Sequence, residues 1–469
     1  MNLNPFIDIF TDDFRKTMLD ECDFSGEEDL TPALTSQFFA ALHTAISHAA
    51  CLGIKQFIKS YDVDEPFVIR DAVRLSRKDP VNKEYLTPFG VIDLERNNYQ
   101  ANYGGKTYQP LDAKWGMVGE FATEAVRECV MFFAALMSSG EIVGCLDKGS
   151  MFHPSKTAID NILRETGERT EEEYERIHSE MLENKTLPDD VDIVVCSMDG
   201  ANILTREPGT KKGRPAERPQ DKEEETPQSS YRNAMTGVFS MYQAGDKQKQ
   251  PERVDASYIA RSPEPGFTAF KADFEREFAW YDEHLDQGVI RVLLHDGGRN
   301  IWTYCDGNPL YDECLKLLDF YHAAEHLSKA AEAIFGKKEA KGQSWYRKWR
   351  TKLKEDSAGV QGLIASIKYY QPKVTGKTRT ENLEKELTFF KRNAKRMNYR
   401  GFLEKGLPIG SGPVEAGCKT IVKQRMCKSG QRWSLTGAQD VLHLRAIVKS
   451  GRWDIYWKEL ETIRLNKVA

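Results

Sequence analysis

The chain has 469 residues, of which 40% are hydrophobic and 29% charged, a composition typical of a soluble protein with about two to four domains. It contains no run of about 18 apolar residues, and its start, MNLNPFIDIFTDDF, lacks the basic and apolar segments of a signal peptide. We therefore expect a cytoplasmic protein without a membrane partner.

The formal net charge of −5 hides a strongly basic part of the chain. Residues 337–452 contain 27 Lys and Arg against 9 Asp and Glu, whereas residues 1–200 are acidic overall. Such a concentration indicates a phosphate-backbone partner, and a solvated helical surface is the alternative. The nine cysteines form no CxxC pair, so neither a disulfide framework nor a structural zinc site is expected.

The N-terminal part divides into a helical segment (1–65), a small β module (66–118) and a helical region (119–188). In the first segment, Phe38, Phe39, Leu42, Ile46 and Ala49 form a stripe at helical spacing. In the third, an apolar helix is followed by a glycine-containing link over 140–149 and by a second helix that Ser155 opens and Gly167 closes. This pattern is compatible with a DNA-binding helix-turn-helix or with simple helical packing.

Residues 189–306 predict a central α/β core. DIVVCSMDG is a buried strand that ends at Asp199, and VIRVLLHDGGRN is another that ends at Asp296. Between them the order is polar loop (206–230), two strands and a helix, which is the start of a ribonuclease H-like (RNase H-like) domain with a mixed sheet. If the two outer strands are neighbours, the two carboxylates face each other.

A helical insertion is predicted over 307–405. Its first helix has Asn308 as a cap, Pro309 in the first position and Gly336 at its end. Asp319 and His322 are three residues apart and therefore share a face of that helix. Aromatic and basic residues alternate in the rest of the insertion, which suits either nucleic-acid contact or ordinary packing.

The last segment, 406–469, carries one carboxylate at a helix start. Pro413 suits the first helical position and Gly430 the residue past the end, so we expect a helix of about four turns with Glu415 in its first turn. Glu415 is compatible with an ion pair to Lys419. With Asp199 and Asp296 it instead makes an acidic triad of the hard oxygen ligands that Mg²⁺ prefers, and two such ions can activate a nucleophile and stabilise the leaving oxygen at a phosphodiester.

Several stretches resemble the DDE transposases of bacterial insertion sequences, in particular the ISKra family, which is related to the Mutator-like group. The resemblance runs from about Thr87 to the C-terminus and rests on the motifs SMDG, LLHDGGRN, DFYH, GSGPVEAGCKTIVKQRM and GQRWSLTGAQDVLHLRAIVKSGRWDIYW. It implies an RNase H-like catalytic core, a helical insertion and an N-terminal DNA-binding region. Where relatives often carry zinc-binding cysteines before the PLD motif, this chain reads NNYQANYGGKTYQPLD.

By matching position, the resemblance implies that Asp199, Asp296 and Glu415 are the catalytic, metal-binding triad, with two Mg²⁺ ions for which Mn²⁺ can substitute. It also implies that Asp319 and His322 form a D-x-x-H motif in the insertion that supports the site. The expected partner is double-stranded DNA, at terminal inverted repeats and at a target, bound by a homodimer or larger oligomer in the bacterial cytosol and nucleoid. The cations expected to bind phosphates are Lys419, Lys423, Arg425, Lys428, Arg432 and Arg445.

Two other functions remain open from the sequence. One is a transposase-derived DNA-binding regulator without catalysis, which the intact triad argues against. The other is an RNase H-like nuclease or resolvase, which the helical insertion argues against. Cleavage of element-end DNA in the presence of Mg²⁺ separates these functions.

Overall fold

The computed structural model describes residues 4–21, 30–149, 152–206, 230–245 and 251–468. These residues form two compact units, one of Met1–Glu180 with Asp454–Ala469 and one of Met181–Trp453. The predicted polar loop lies outside the described residues over 207–229. The last predicted segment, 406–469, is divided between the two units at residue 454.

The first unit combines helices with a small antiparallel sheet. Its sheet has the order β1-β2-β3. The strands are β1 (Phe67–Arg70), β2 (Val73–Thr87) and β3 (Gly90–Ala101). The helices are α1 (Asn4–Glu21), α2 (Pro32–Lys59), α3 (Pro110–Trp115), α4 (Glu124–Leu136), α5 (Ser139–Gly149), α6 (Lys156–Glu172), α7 (Tyr174–Glu183), whose last three residues belong to the second unit, and, from its second residue on, α18 (Trp453–Val468).

A buried ion pair holds α3 against this sheet. Asp112, in the PLD motif, accepts hydrogen bonds from the Tyr85 hydroxyl and the Arg96 guanidinium, and all three residues are buried. The side chains of Ile58, Ile92 and neighbouring apolar residues complete the core of the module. A polar network and an apolar cluster therefore stabilise the β module together.

Helix α2 meets, by length and composition, the criteria for a membrane-spanning helix, and it is the one described helix that does so. Core helices of soluble proteins meet the same criteria. Its buried residues are Ala41, Ala45, Ala49 and Ile58. The predicted stripe is therefore wrong at Phe38 and Phe39, which are largely exposed, because the small alanines form the packed face instead.

The helical region of the first unit also differs from the prediction at its glycines. The predicted link over 140–149 is the helix α5, and Gly167 does not close α6 but is buried inside it. Here a glycine lies buried within a helix rather than at a helix end. Ser155 caps α6 as predicted, since its side chain accepts from the backbone N–H of Ala158 at 3.1 Å.

Replacing Ser155 with alanine should destabilise α6 by about 1 kcal/mol, because the first turn loses its side-chain acceptor. Native-state hydrogen exchange of the α6 amides measures this loss. Ser155→Asp restores an acceptor and should keep the protection of the wild type. Equal protection in the wild type and Ser155→Ala would show that the cap contributes nothing.

The second unit is built on a five-stranded mixed sheet with helices on both faces. The strand order is β6-β5-β4-β7-β8, in which β4, β5 and β6 are antiparallel neighbours and β4, β7 and β8 are parallel ones. The strands are β4 (Ile193–Thr205), β5 (Ser230–Gln243), β6 (Glu252–Arg261), β7 (Ile290–His295) and β8 (Leu315–Leu318). The predicted order of elements from β4 to β7 is confirmed.

The helices of this unit follow the strands in three groups. Two flank β7, namely α8 (Thr268–His284) and α9 (Arg299–Gly307). Five come after β8: α10 (Phe320–Phe335), α11 (Ala340–Glu355), α12 (Gly359–Tyr370), α13 (Lys377–Asn393) and α14 (Tyr399–Glu404). The last group is α15 (Gly412–Gly417), a π-helical segment (Cys418–Lys423), α16 (Gln424–Met426) and α17 (Leu435–Lys449). Short 3₁₀ turns are Pro265–Phe267, Pro309–Tyr311, Gln371–Lys373 and Ala394–Arg396.

Strand β4 shows why a gap opens in one face of the sheet. Successive side chains of a strand point to opposite faces. Ile193 and Val195 pack with the helices that follow β8, whereas Ala201 and Ile203, on the same face, pack with the helices that follow residue 412. Residue 199 has the same parity and lies between the two clusters, so its side chain belongs to the gap.

The predicted helix from 309 to 336 is wrong in its first part. Residues 309–311 form a 3₁₀ turn, 315–318 form β8, and the helix begins only at Phe320. Leu317 and Leu318 are fully buried where β8 pairs with β7, and this tertiary pairing overrides the helical pattern of the sequence. The predicted insertion over 307–405 therefore begins with part of the central sheet.

Candidate active site

The register of the parallel strands brings three aspartates to one level. Pairs between β4 and β7 are 97 residues apart, as in Cys196 with Leu293, and 296 − 199 = 97. Pairs between β7 and β8 are 23 residues apart, as in His295 with Leu318, and 319 − 296 = 23. Asp199, Asp296 and Asp319 are thus aligned across three neighbouring strands. The prediction that the first strand ends at Asp199 is wrong. Asp199 lies within β4, just beyond the residues that pair with β7.

Glu415 reaches the same place from the start of α15. Ser411 precedes this helix, and Pro413 lies in its first turn, close to the first helical position that the sequence predicts. The Ser411 hydroxyl donates to Glu415 Oε1 at 3.2 Å, and the Ser411 backbone N–H donates to Asp319 Oδ2 at 2.5 Å. Asp319 therefore fixes the turn that positions Glu415.

These carboxylates line one cavity of about 450 Å³. No described lysine or arginine lines this cavity. Five acidic side chains do: Asp199, Asp296, Asp319, Glu325 and Glu415. Burial raises the pKa of the Asp199 carboxyl, and the negative charges of Asp296 and Glu415 raise it further, against the lowering effect of a hydrogen bond from the Gly200 N–H. The uncompensated charge fits a site for cations.

The donor set is that of a hard divalent ion, since it consists of carboxylate oxygens. Asp296 Oδ1 accepts from the backbone N–H of Gly298 at 2.8 Å, which fixes the orientation of this side chain. In the described parts of the chain, no three His, Cys, Asp or Glu side chains are close enough together to hold one ion. The acidic side chains share the cavity but do not converge on a single point in it.

The two residues of the predicted D-x-x-H motif lie at the junction of β8 and α10 rather than inside a helix. Asp319 is buried and caps α10, because its Oδ1 accepts from the His322 backbone N–H at 2.5 Å. The His322 ring lines the cavity, with Nδ1 3.9 Å from a Glu325 oxygen. Both Asp319 oxygens therefore accept backbone hydrogen bonds, and the residue positions its neighbours.

His295 is a site residue that the sequence reasoning missed. It is fully buried, and its Nδ1 accepts from the backbone N–H of Met198 at 3.0 Å, so it joins β7 to β4 directly before both aspartates. Burial lowers the pKa of this imidazole to about 3, and the charge of Arg396 lowers it as well. The neutral ring therefore carries its proton on Nε2, 3.7 Å from Cys305 Sγ. The sequence itself could have indicated this residue, because a histidine within an apolar strand next to Asp296 requires a hydrogen-bond partner.

Helix α13 packs directly on the turn after Asp296. The Phe389 ring lies so close to Gly297 that a Cβ there would be 2.1 Å from a ring carbon, and the Arg392 guanidinium donates to the Gly297 carbonyl at 2.9 Å. Phe389 in turn stacks on His326, with ring centroids 3.6 Å apart. The helices after β8 thus hold the turn that carries Asp296.

The six predicted phosphate ligands separate into two groups. Lys419 and Lys423 are exposed and line a second cavity of about 730 Å³ that Asp199 and Glu415 also line, while Lys428 and Arg432 are exposed beyond it. A row of surface lysines therefore begins beside the carboxylates.

For Arg425 and Arg445 the prediction conflicts with the structure. Arg425 is buried, with its guanidinium carbon 5.0 Å from the centre of the Trp433 ring. Arg445 donates to the carbonyls of Ile421, at 2.6 Å, and Thr420, and burial and the charge of Arg425 lower its pKa to about 10. Both side chains are used inside the protein, because the π-helical segment leaves carbonyls that Arg445 satisfies.

The predicted length of about four turns is confirmed, although Gly430 is not the residue directly past the helix end. The helical stretch runs over 412–426 with the π-helical segment inside it, and Gly430, which has a φ of +75°, lies in the following turn. A π-helical segment widens the helix and is frequent at functional sites. Here it occurs directly after Glu415 and carries Lys419 and Lys423.

Comparisons with known proteins add little to this description. No family model matches the chain, and no curated protein matches it. Among solved structures, the Drosophila P element transposase strand transfer complex aligns with 72% of this chain and 80% of its own, at 12% identity and a TM-score of 0.24. A similarity at that level carries no argument about fold or function.

Proposed function

We propose that this chain is a DDE-type DNA transposase of the ISKra kind, which binds terminal inverted repeats and cleaves and joins DNA strands. The observation that carries the proposal is the cavity that Asp199, Asp296 and Glu415 all line, among lining residues that include no described lysine or arginine. These three residues come from a strand, the turn after another strand and a late helix. Separate carboxylates that share one cavity are the ligands that a metal-dependent phosphodiester chemistry needs.

The fold supports the same proposal. Three antiparallel strands followed by two parallel ones, with helices on both faces, fit an RNase H-like core. The helices from α10 to α14 fit the helical insertion between the second aspartate and the glutamate.

In the proposed reaction, the oxygen of a water molecule attacks the scissile phosphorus, and the bond from phosphorus to the bridging 3′ oxygen breaks. The freed 3′-hydroxyl then attacks a phosphorus of target DNA, whose own 3′ oxygen leaves. Bound Mg²⁺ ions, or Mn²⁺ in their place, would activate each nucleophile and stabilise each leaving oxygen. Asp199, Asp296 and Glu415 would hold the ions.

The lysine-lined cavity gives the DNA strand a path into the site. Lys419 and Lys423 are one turn apart and lie beside Asp199 and Glu415. Their charges would hold phosphates next to the scissile one and offset repulsion between the DNA and the carboxylates. Joining requires two element ends in one assembly, so we propose a homodimer or larger oligomer on DNA in the cytosol and nucleoid.

The test is incubation of the full chain with labelled DNA from the inverted repeats that flank its gene, with Mg²⁺ or with a chelator. The proposal predicts cleavage at the repeat ends and joining to target DNA in Mg²⁺ alone. Binding without cleavage would favour a transposase-derived regulator, and cleavage without joining would favour a nuclease or resolvase. Either result would overturn the transposase proposal.

Replacing Lys419 and Lys423 together with glutamine should weaken end binding and reduce the slope of log affinity against log salt by about 2, because each phosphate contact contributes about 0.9. Electrophoretic mobility shifts at several salt concentrations measure the slope. The matched control changes Lys341 and Lys385, exposed lysines of the same unit that line none of the cavities described here. Equal slopes for the two double variants would contradict this assignment.

A further inference from the structure

A third cavity of the second unit adjoins the acidic one. It has a volume of about 1130 Å³ and is lined mainly by α11, α14, the loop over 405–411 and the start of α15; we call it the α11–α14 groove. It shares Tyr321 and Gly412 with the acidic cavity. Its volume exceeds the roughly 300–1,000 Å³ of small-molecule pockets, which suits a segment of a polymer.

The groove is positively charged where the neighbouring cavity is negative. Two acidic side chains line it, those of Glu355 and Glu404, so the net charge of the lining is +2. The four cationic side chains are Arg350, Lys354, Arg400 and Lys405. The Arg350 guanidinium carbon lies 5.3 Å from the centre of the Phe320 ring, which helps to fix its position. Such a lining is complementary to a phosphate backbone that continues out of the acidic cavity.

Tyr321 provides a flat aromatic surface at the junction of the two cavities. It is 61% exposed and lies on the first turn of α10, a helix that buries only one face. One edge of its ring lies beside Gly410, where a Cβ would be 2.8 Å from Tyr321 Cε2 and 3.1 Å from Cδ2. The glycine thus leaves room for this ring edge, and the exposed part of the ring is available to a ligand.

We infer that the α11–α14 groove binds a single-stranded stretch of DNA next to the scissile phosphate, with one unpaired base stacked on Tyr321. Exposed aromatic rings among cations bind single strands because every base has a face that stacks, whereas paired bases inside a duplex are not accessible to such a ring. This inference rests on the proposed function and adds to it the state of the DNA beside the site. The strand would cross from the lysine-lined cavity over the carboxylates into the groove.

The test uses the full chain in a chelator, so that no cleavage occurs, and a short single-stranded oligonucleotide that contains 2-aminopurine, whose fluorescence falls on stacking. We expect the wild type to quench the probe. Tyr321→Ala should remove the quenching and weaken binding by about fivefold to a hundredfold, because stacking on one aromatic ring is worth that much per base. Tyr321→Phe should retain both properties.

The matched control is Tyr369→Ala, since Tyr369 has the same 61% exposure in the same unit but lies outside the groove. It should behave as the wild type. A second measurement needs no variant: an oligonucleotide containing iodouracil, irradiated on the wild-type chain, should attach to the peptide that contains Tyr321. Equal binding and quenching by Tyr321→Ala, or attachment only elsewhere, would overturn the inference.

The result also separates this inference from the proposed function. If the chain cleaves end DNA but Tyr321→Ala binds the single strand as the wild type does, the groove assignment is wrong and the transposase proposal stands. If the wild type binds neither the single strand nor end DNA, both are wrong.

Discussion

Asparagine in place of Asp296 should lower the rate of Mg²⁺-dependent cleavage by on the order of a hundredfold to a thousandfold or more, a loss typical of a group that stabilises charge in the transition state. Asparagine keeps the size of the side chain and can still accept from the Gly298 N–H, so the turn should persist. The change removes one negative charge from a cavity whose lining includes five carboxylates. Binding of end DNA should remain close to that of the wild type, because Asp296 offers no contact that attracts a phosphate.

Single-turnover cleavage and mobility shifts measure the two properties on the same preparation. Asp312→Asn is a suitable control, since Asp312 is an exposed aspartate of the same unit outside the cavity lining. Wild-type cleavage by Asp296→Asn would remove this residue from the proposed site. A parallel loss of DNA binding and of the folded state would assign Asp296 to structure instead.

A methyl group at Gly297 should disturb both stability and cleavage. The added Cβ would lie 2.1 Å from a ring carbon of Phe389, so α13 must shift away from the turn that carries Asp296. Overpacking of this kind costs about 1–3 kcal/mol. Because Arg392 also holds the Gly297 carbonyl, the shift removes a second contact on the same turn. Urea denaturation and the cleavage assay measure the two effects of Gly297→Ala.

Gly288→Ala is the matched control, because a Cβ at Gly288 meets no atom within 4 Å, and its effect should stay within about 0.5 kcal/mol. A smaller ring partner should relieve the clash. The loss in free energy of unfolding of the double variant Gly297→Ala, Phe389→Leu should therefore be about 0.5–3 kcal/mol smaller than the sum of the losses of the two single variants. Strict additivity would mean that Phe389 does not restrain Gly297.

The order of elements around the first two aspartates could be predicted from the sequence because β4 and β7 are buried on both faces. Such strands are continuous apolar runs in the sequence, so a charged residue at the end of the run is easily recognised. The spacing of 97 residues between Asp199 and Asp296 is also the register offset of the two strands. Glu415 could be placed because Pro413 marks a helix start independently of tertiary contacts.

Strand β8 could not be predicted in this way. Its four residues, LKLL, fit a helix as well as a strand, and only pairing with β7 decides between them. The role of Asp319 as the cap of α10 depends on that strand. Arg425 and Arg445 were misassigned for a related reason, since charge alone does not show whether a cation faces solvent or a buried carbonyl.

Manganese binding tests most directly whether the acidic cavity is a metal site. Electron paramagnetic resonance of Mn²⁺ with the wild-type chain on end DNA counts the bound ions, and Mg²⁺ should displace them. Glu415→Gln should bind Mn²⁺ at least about tenfold more weakly, since even the loss of a residue that only supports a ligand costs about 10–100-fold, while end binding stays unchanged. Equal Mn²⁺ affinity in the wild type, Glu415→Gln and Asp296→Asn would contradict the assignment of these carboxylates as metal ligands.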